Sequence, residues 1–153
     1  MHSEHFEFES VVPHSDTMAL LDTVANWSDD SLEAHVTLHD HSPFAEEKGV
    51  PAWVGIEYMA QAVGAFAGCH ARKSQRPVQI GFLVGSRRYQ TNQPYFPLGT
   101  PLSVQVTEVL QASNGLSVFE CSISSPDCDI KASANLNVFQ PDDPEDFLQG
   151  QEL

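Results

Sequence analysis

The sequence predicts an α+β fold in which a curled antiparallel sheet of about five to six strands wraps one long central helix. Two short strand-like segments come first, one long apolar helical segment follows, and four further strand-like segments complete the pattern. At 153 residues the chain is large enough for one domain with a sizeable core. We expect this domain to span residues 1–140, followed by an acidic, mobile tail at 141–153.

The segments before the helix have strand character. A short apolar segment leads into a strand near Leu21–Trp27. Residues Ser31–His39 then alternate between apolar and polar side chains, which is typical of a half-buried strand. A polar loop at residues 40–49 delivers the chain to the helix.

The stretch Val50–Lys73 predicts one long helix that begins near Pro51, because proline suits a first helical turn. At 100° per residue one face is apolar, while the opposite face carries Glu57 and Gln61 together with glycines.

Three glycines, Gly55, Gly64 and Gly68, lie within this helix. Each one costs a helix roughly 1 kcal/mol relative to alanine. We therefore expect another part of the protein to approach the helix backbone closely at these positions.

Residues 78–90 predict a mostly buried strand, in which Gly81 and Gly85 mark a bulge or a close backbone approach. Residues 91–101 contain three prolines and predict an irregular connection. Three strands with clear alternation follow, and the Asn114-Gly115 pair predicts the hairpin turn between the first two.

Composition argues against several functional classes. A net charge of −14 opposes binding to nucleic acid or to an anionic membrane. The three cysteines have no CxxC spacing, which suits a reducing compartment and argues against a zinc knuckle. The N-terminal residues lack a signal pattern, and the long helix is interrupted by polar side chains. We expect a soluble, cytoplasmic protein without a cofactor.

Three histidines, His35, His39 and His41, are close in sequence, a pattern that also suits a metal site. Along a strand such residues are about 7 Å apart per pair, which is too wide for a compact tetrahedral site. We expect no metal site and interpret these histidines as part of a polar strand face.

The few basic residues are clustered. Of seven in the chain, five lie between positions 72 and 88. Cations near the end of the helix stabilise its dipole, and the same cluster would also suit docking of an acidic partner. The residues of this predicted basic patch are Arg72, Lys73, Arg76, Arg87 and Arg88.

Three segments carry a family resemblance: VVPHSDTMALLDTV, VPAWVGIEYMAQAVG and GFLVGSRRYQ. They resemble the hotdog-fold 3-hydroxyacyl-(acyl carrier protein) dehydratases of the FabZ/FabA type, and most closely their ApeP-like branch, associated with aryl polyene synthesis. The resemblance implies a helix wrapped by an antiparallel sheet and dimerisation with active sites between subunits. It implies a homodimer, or a heterodimer with another hotdog subunit, that acts on substrate held by an acyl carrier protein.

By this resemblance Glu57 takes the place of the catalytic acid that helps eliminate water from a 3-hydroxyacyl thioester to give a 2-enoyl thioester. Unpaired backbone N–H groups at the start of the helix would stabilise charge on the thioester oxygen. We expect the Glu57 carboxyl group to be partly buried. The expected substrate-binding residues are Ala52, Trp53, Gln61, Gly81 and Phe82.

The catalytic base departs from the family pattern, because Pro43 occupies the position of the family's histidine. Three alternatives remain. His41 or His39 reaches the site from a reshaped loop, His14 replaces the missing histidine, or a different partner chain supplies one.

Two other functions fit the same fold. A hotdog thioesterase would use Glu57 to activate water or to attack the thioester. A non-catalytic partner subunit would instead shape a heteromeric dehydratase and be inactive alone.

Overall fold

The computed structural model describes residues 19–75 and 82–139. In this part of the chain one helix packs against a six-stranded antiparallel sheet, so the predicted α+β layering is confirmed. The sheet order is β1-β2-β6-β7-β8-β4, and β3 pairs with β5 in a separate small sheet. The elements are β1 (Thr23–Trp27), β2 (Ser31–Thr37), β3 (Val50–Pro51), a 3-10 turn (Ala52–Val54), α1 (Gly55–Lys73), β4 (Phe82–Thr91), β5 (Tyr95–Phe96), β6 (Pro101–Gln111), β7 (Leu116–Ser124) and β8 (Lys131–Phe139).

The core lies between α1 and the inner face of the sheet. The predicted apolar face of the helix is buried, with Met59 and Val63 against the strands. The ring of Phe66 meets that of Phe119 edge-on, with 5.4 Å between their centroids. Burial of each such side chain stabilises the fold by roughly 1.5–3 kcal/mol, so this face fixes the helix against the sheet.

The start of the helix is held by the β3–β5 pair. Val50 and Pro51 pair with Phe96 and Tyr95, within the segment that the prolines predicted to be irregular. The prediction of an irregular connection is therefore wrong at Tyr95 and Phe96, which form β5. Gly49 has a φ of 124°, and a Cβ there would overlap the carbonyl oxygen of Phe96. Glycine is required at this position because the two backbones meet so closely.

Strand β4 lies at one edge of the sheet. The prediction of a mostly buried strand is wrong for its described side chains, because Ser86, Arg87 and Arg88 are exposed. An edge strand has a neighbour on one side, so its residues are less covered. The predicted irregularity at Gly85 is confirmed, since the pairing with β8 shifts between Leu83 and Gly85.

A second bulge in β4 changes the direction of its side chains. Arg88 and Tyr89 together oppose the single residue Ala134 of β8. Arg88 has a φ of 58°, in the left-handed region that few residues other than glycine adopt. The bulge leaves Arg88 exposed while Tyr89 packs against the core.

The helix glycines differ from one another. A Cβ at Gly55 would overlap the Tyr89 hydroxyl group, which confirms the predicted close approach there. At Gly64 no atom outside the helix's own nearby backbone lies within 4 Å of that position, so the prediction is wrong for this residue. No helix in the described part of the chain is both long and apolar enough to cross a membrane.

The hairpin between β6 and β7 follows its predicted turn. Gly115 has a φ of 94°, and the Leu116 N–H donates to the side-chain oxygen of Asn114 at 3.2 Å.

Candidate active site

Glu57 lies in the first turn of α1, where it is exposed to solvent. The expectation that it is partly buried within the chain is therefore wrong. The reason is the register of the helix: the sheet covers the face that carries Met59 and Val63, and Glu57 points away from it. The sheet of a single chain leaves this carboxyl group open to any molecule that covers the outer face of the helix.

Two exposed aromatic rings accompany Glu57 at this end of the helix. Trp53 is 61% exposed and Phe44, from the preceding loop, is 43% exposed. Their rings pack edge-on with 5.4 Å between centroids. Trp53 precedes Glu57 by about one turn, so the two side chains lie on the same side of the helix. Adjacent large apolar groups left in water are typical of a surface that another molecule covers.

Two backbone N–H groups, those of Ala52 and Trp53, are expected to be unpaired at the helix start, and one of them is already hydrogen-bonded. The Ala52 N–H donates to the carbonyl oxygen of Pro94 at 2.9 Å, so the expectation that this N–H is unpaired is wrong. Trp53 follows within the first turn, where N–H groups have no acceptor inside the helix. The Trp53 N–H therefore has no acceptor within the helix.

The carbonyl oxygen of Ala52 is also engaged. The Tyr89 hydroxyl donates a hydrogen bond to it from β4, and the Gly55 N–H donates to it within the turn. Burial raises the pKa of Tyr89 to about 12, so this hydroxyl is protonated at neutral pH.

Gln61, another expected substrate residue, is half buried. Its Oε1 accepts a hydrogen bond from the Leu20 N–H at 2.8 Å. This oxygen therefore anchors the chain ahead of β1 to the middle of the helix.

His39 and His41, in the loop before the helix, are exposed at the surface of the protein. The His41 side chain is 88% exposed, and its Nε2 lies 3.6 Å from Asp40 Oδ1. The backbone N–H of His41 donates to His39 Nδ1 at 3.1 Å. The same loop reaches the helix through Phe44. Within residues 19–75 and 82–139, no histidine forms a hydrogen bond or an ion pair with Glu57.

Several predicted site residues cannot be placed. His14, Arg76 and Gly81 lie outside the described residues, and so does the predicted tail at 141–153. Phe82 begins β4, but its side chain is outside the described part.

The predicted basic patch is divided in the structure. Arg72 and Lys73 end the helix, with Lys73 Nζ 5.9 Å from the centre of the Trp27 ring. Arg87 and Arg88 instead precede Tyr89, which contacts the opposite end of the helix. The helix between Gly55 and Arg72 is about 25 Å long at 1.5 Å per residue. The two pairs therefore form separate surfaces. Arg87 and Arg88 lie toward the end that carries Glu57 but on the outer face of the sheet, where Arg88 lines a groove with Gln105 and Glu120.

No metal-binding group of three or more His, Cys, Asp or Glu side chains is found among the described residues. His35 is instead bound to Glu33 on the outer sheet face, with 2.5 Å between Nε2 and Oε2.

The sequence did not identify Phe44 and Tyr89 as parts of this end of the helix. For Tyr89 a signal exists in hindsight, since Gly55 requires some group to lie against the helix backbone. For Phe44 we find no sequence signal, because the contact depends on the path of an irregular loop.

Comparison with known proteins gives a consistent result. The model of the ApeP-like family, described as ApeP dehydratase, matches residues 6–149. The dehydratase heterocomplex ApeI:P from Xenorhabdus doucetiae contains a chain that superposes with a TM-score of 0.85 at 30% identity, covering 95% of this chain and 98% of that one. No curated protein is significantly similar in sequence.

More distant structures share the fold alone. A hypothetical thioesterase from Streptococcus pneumoniae, solved with coenzyme A, has a TM-score of 0.61 at 12% identity and covers 76% of this chain and 86% of that one. The Escherichia coli PaaI protein from the phenylacetic acid degradation operon has a TM-score of 0.59 at 10% identity, with coverage of 76% and 80%. The predicted hotdog fold is confirmed by these matches.

Proposed function

The chain belongs to the family of ApeP-like dehydratases, and on that premise we propose that it eliminates water from a 3-hydroxyacyl thioester bound to an acyl carrier protein. We propose further that it does so as one subunit of a heteromeric hotdog enzyme. The observation that carries this proposal is the open grouping of the Glu57 carboxyl group with the exposed rings of Trp53 and Phe44.

In the proposed reaction a base removes a proton from C2 of the acyl chain while Glu57 protonates the hydroxyl group on C3. The C3–O bond breaks, a double bond forms between C2 and C3, and water leaves. Negative charge grows on the thioester oxygen as the C2 proton departs, and the Trp53 N–H is the group proposed to stabilise it. Glu57 and this N–H lie at the same end of the helix, as the reaction requires.

The heteromeric part of the proposal is supported by what a single chain leaves open. A carboxyl group in bulk water lacks the low-dielectric surroundings that favour its protonated form, and a covering subunit would supply them. Pro43 stands where the family has its histidine, and we propose that the partner provides this base. The similar structure from Xenorhabdus doucetiae is a heterocomplex, which agrees with this arrangement.

The carrier protein is proposed to dock at Arg87 and Arg88. Both side chains are exposed on β4, at the end of the helix that carries Glu57. A positive surface on the outer sheet face at this end would attract an acidic carrier, although the chain as a whole has a charge of −14.

The test is reconstitution from purified subunits. A 3-hydroxyacyl carrier-protein substrate is incubated with the chain alone, with a hotdog partner alone, and with both, and mass spectrometry follows the loss of one water. We expect dehydration only with both subunits. Release of a free thiol without an enoyl product would establish a thioesterase, and absence of water loss in every mixture would overturn the proposal. Dehydration by this chain alone would place the base on His14, His39 or His41.

A further inference from the structure

We propose that Tyr89 is a positioning residue of this site, which fixes and polarises the peptide group whose N–H belongs to Trp53. The inference rests on the proposed function and adds to it a residue of β4 that does not itself touch the reacting atoms. Its basis is the hydrogen bond from the Tyr89 hydroxyl to the Ala52 carbonyl oxygen.

The carbonyl of Ala52 and the N–H of Trp53 are the two ends of one planar peptide group. A donor at the oxygen draws electrons toward it and makes the N–H at the other end a stronger donor. Such cooperative strengthening is about 10–30% per hydrogen bond. Tyr89 therefore acts on the thioester oxygen through the peptide group, without touching the substrate.

The same hydrogen bonds also fix the orientation of the peptide group. The Ala52 N–H is bound to Pro94 on one side, and the Ala52 oxygen is bound by Tyr89 on the other. With both neighbouring groups held, the Trp53 N–H has a fixed direction before substrate arrives. Preorganised donors of this kind need no rearrangement during the reaction.

The backbone of β4 is distorted in the way that this contact requires. With regular pairing after Arg87, Tyr89 would oppose Ser133 and point to the outer face of the sheet. The extra residue at Arg88, with its φ of 58°, instead directs Tyr89 toward the helix. Bulges that re-aim one side chain are common beside active sites, and local strain is concentrated there.

The helix makes a matching adjustment. Gly55 lacks the Cβ that would overlap the Tyr89 hydroxyl, although glycine is unfavourable in a helix. Two departures from regular structure, in β4 and in α1, therefore allow the same hydrogen bond. Burial of Tyr89 keeps its hydroxyl protonated, which the role of donor requires.

The first test is the kinetics of Tyr89→Phe in the reconstituted enzyme. The change weakens one oxyanion donor without removing it, so we expect kcat to fall by about tenfold with KM unchanged. Tyr95→Phe is the matched control, because Tyr95 is also half buried and lies on β5 beside the same turn. A merely structural role would alter thermal stability or subunit assembly without this separation of kcat from KM.

The second measurement does not depend on turnover. In the ¹⁵N-labelled chain, the Trp53 amide signals are expected to move upfield in Tyr89→Phe and to stay in place in Tyr95→Phe. Unmoved Trp53 signals, or a kcat equal to that of the wild type, would overturn the inference and leave the proposed function standing. Absence of dehydration by the wild-type assembly would overturn both.

Discussion

The Tyr89 hydroxyl group lies where a Cβ at residue 55 would be, so Tyr89 fills the space between helix and sheet that a side chain at Gly55 would need. The contact joins the edge strand β4 to the start of α1. It also distinguishes Gly55 from Gly64, where the corresponding space is empty.

Substitution of these two glycines by alanine is therefore expected to have opposite effects. Gly55→Ala should reduce the free energy of unfolding by about 1–2 kcal/mol, because overpacking outweighs the gain in helix propensity. Gly64→Ala should raise it by roughly 0.5–1 kcal/mol. Urea unfolding of the isolated chain measures both, and changes of the same sign would contradict the described packing.

Glu57→Gln is expected to lower kcat of the reconstituted enzyme by at least about a hundredfold, because the amide N–H is too weakly acidic to protonate the leaving hydroxyl group. The side chain is exposed, so the free energy of unfolding should change by no more than about 0.5 kcal/mol. Glu108→Gln, on β6, is the control. Retained turnover would remove Glu57 from its proposed role.

Trp53→Ala is expected to weaken association with the partner subunit by about tenfold or more, because exposed tryptophans are frequent anchors of interfaces. Leu110→Ala is the matched control, since Leu110 is 56% exposed and lies near the β6–β7 hairpin. Sedimentation velocity of the mixed subunits reports both affinities. Equal effects would show that the interface does not centre on Trp53.

Reversal of charge at Arg87 and Arg88 is expected to raise KM for carrier-bound substrate by about tenfold, through loss of attraction to the acidic carrier. A small thioester analogue should be unaffected, since it needs no docking surface. The same reversal at Arg72 and Lys73 should have a smaller effect. If that second pair has the larger effect, the docking surface lies at the other end of the helix.

Alkaline pH is expected to destabilise the fold through its buried tyrosines. Burial raises the pKa of Tyr89 from 10.0 to about 12 and also raises that of Tyr58. Above pH 10 these hydroxyls ionise in the unfolded chain but remain protonated in the fold, so their stabilising contribution is lost as the pH rises. Tyr89→Phe should make the decline between pH 10 and 12 shallower, and urea unfolding across this range tests it. Parallel curves for the two proteins would be inconsistent with burial of Tyr89.

Periodicity alone predicted most of the fold. The apolar face of α1 and the alternation of β2, β6, β7 and β8 are local patterns, because each side chain's direction follows from its place in a regular element. The Asn114-Gly115 turn was equally local, since its geometry is set by the residues within it.

The parts that the sequence did not predict depend on which segments meet. Pairing of Val50 with Phe96 joins two segments far apart in the chain, and no local pattern marks it. The bulge at Arg88 has no glycine to indicate it. For Glu57, the polar stripe of the helix was identified correctly, but the pattern of one chain does not say what covers that stripe.

The position of β4 at the margin of the sheet bears on how copies of the chain would meet at that edge. An uncovered strand edge is a template to which further copies of a chain can add without limit. Arg87 and Arg88 place two like charges on this margin, so identical edges brought together would repel each other. The same two side chains thus disfavour indefinite stacking of copies while leaving the margin open to a partner of complementary charge.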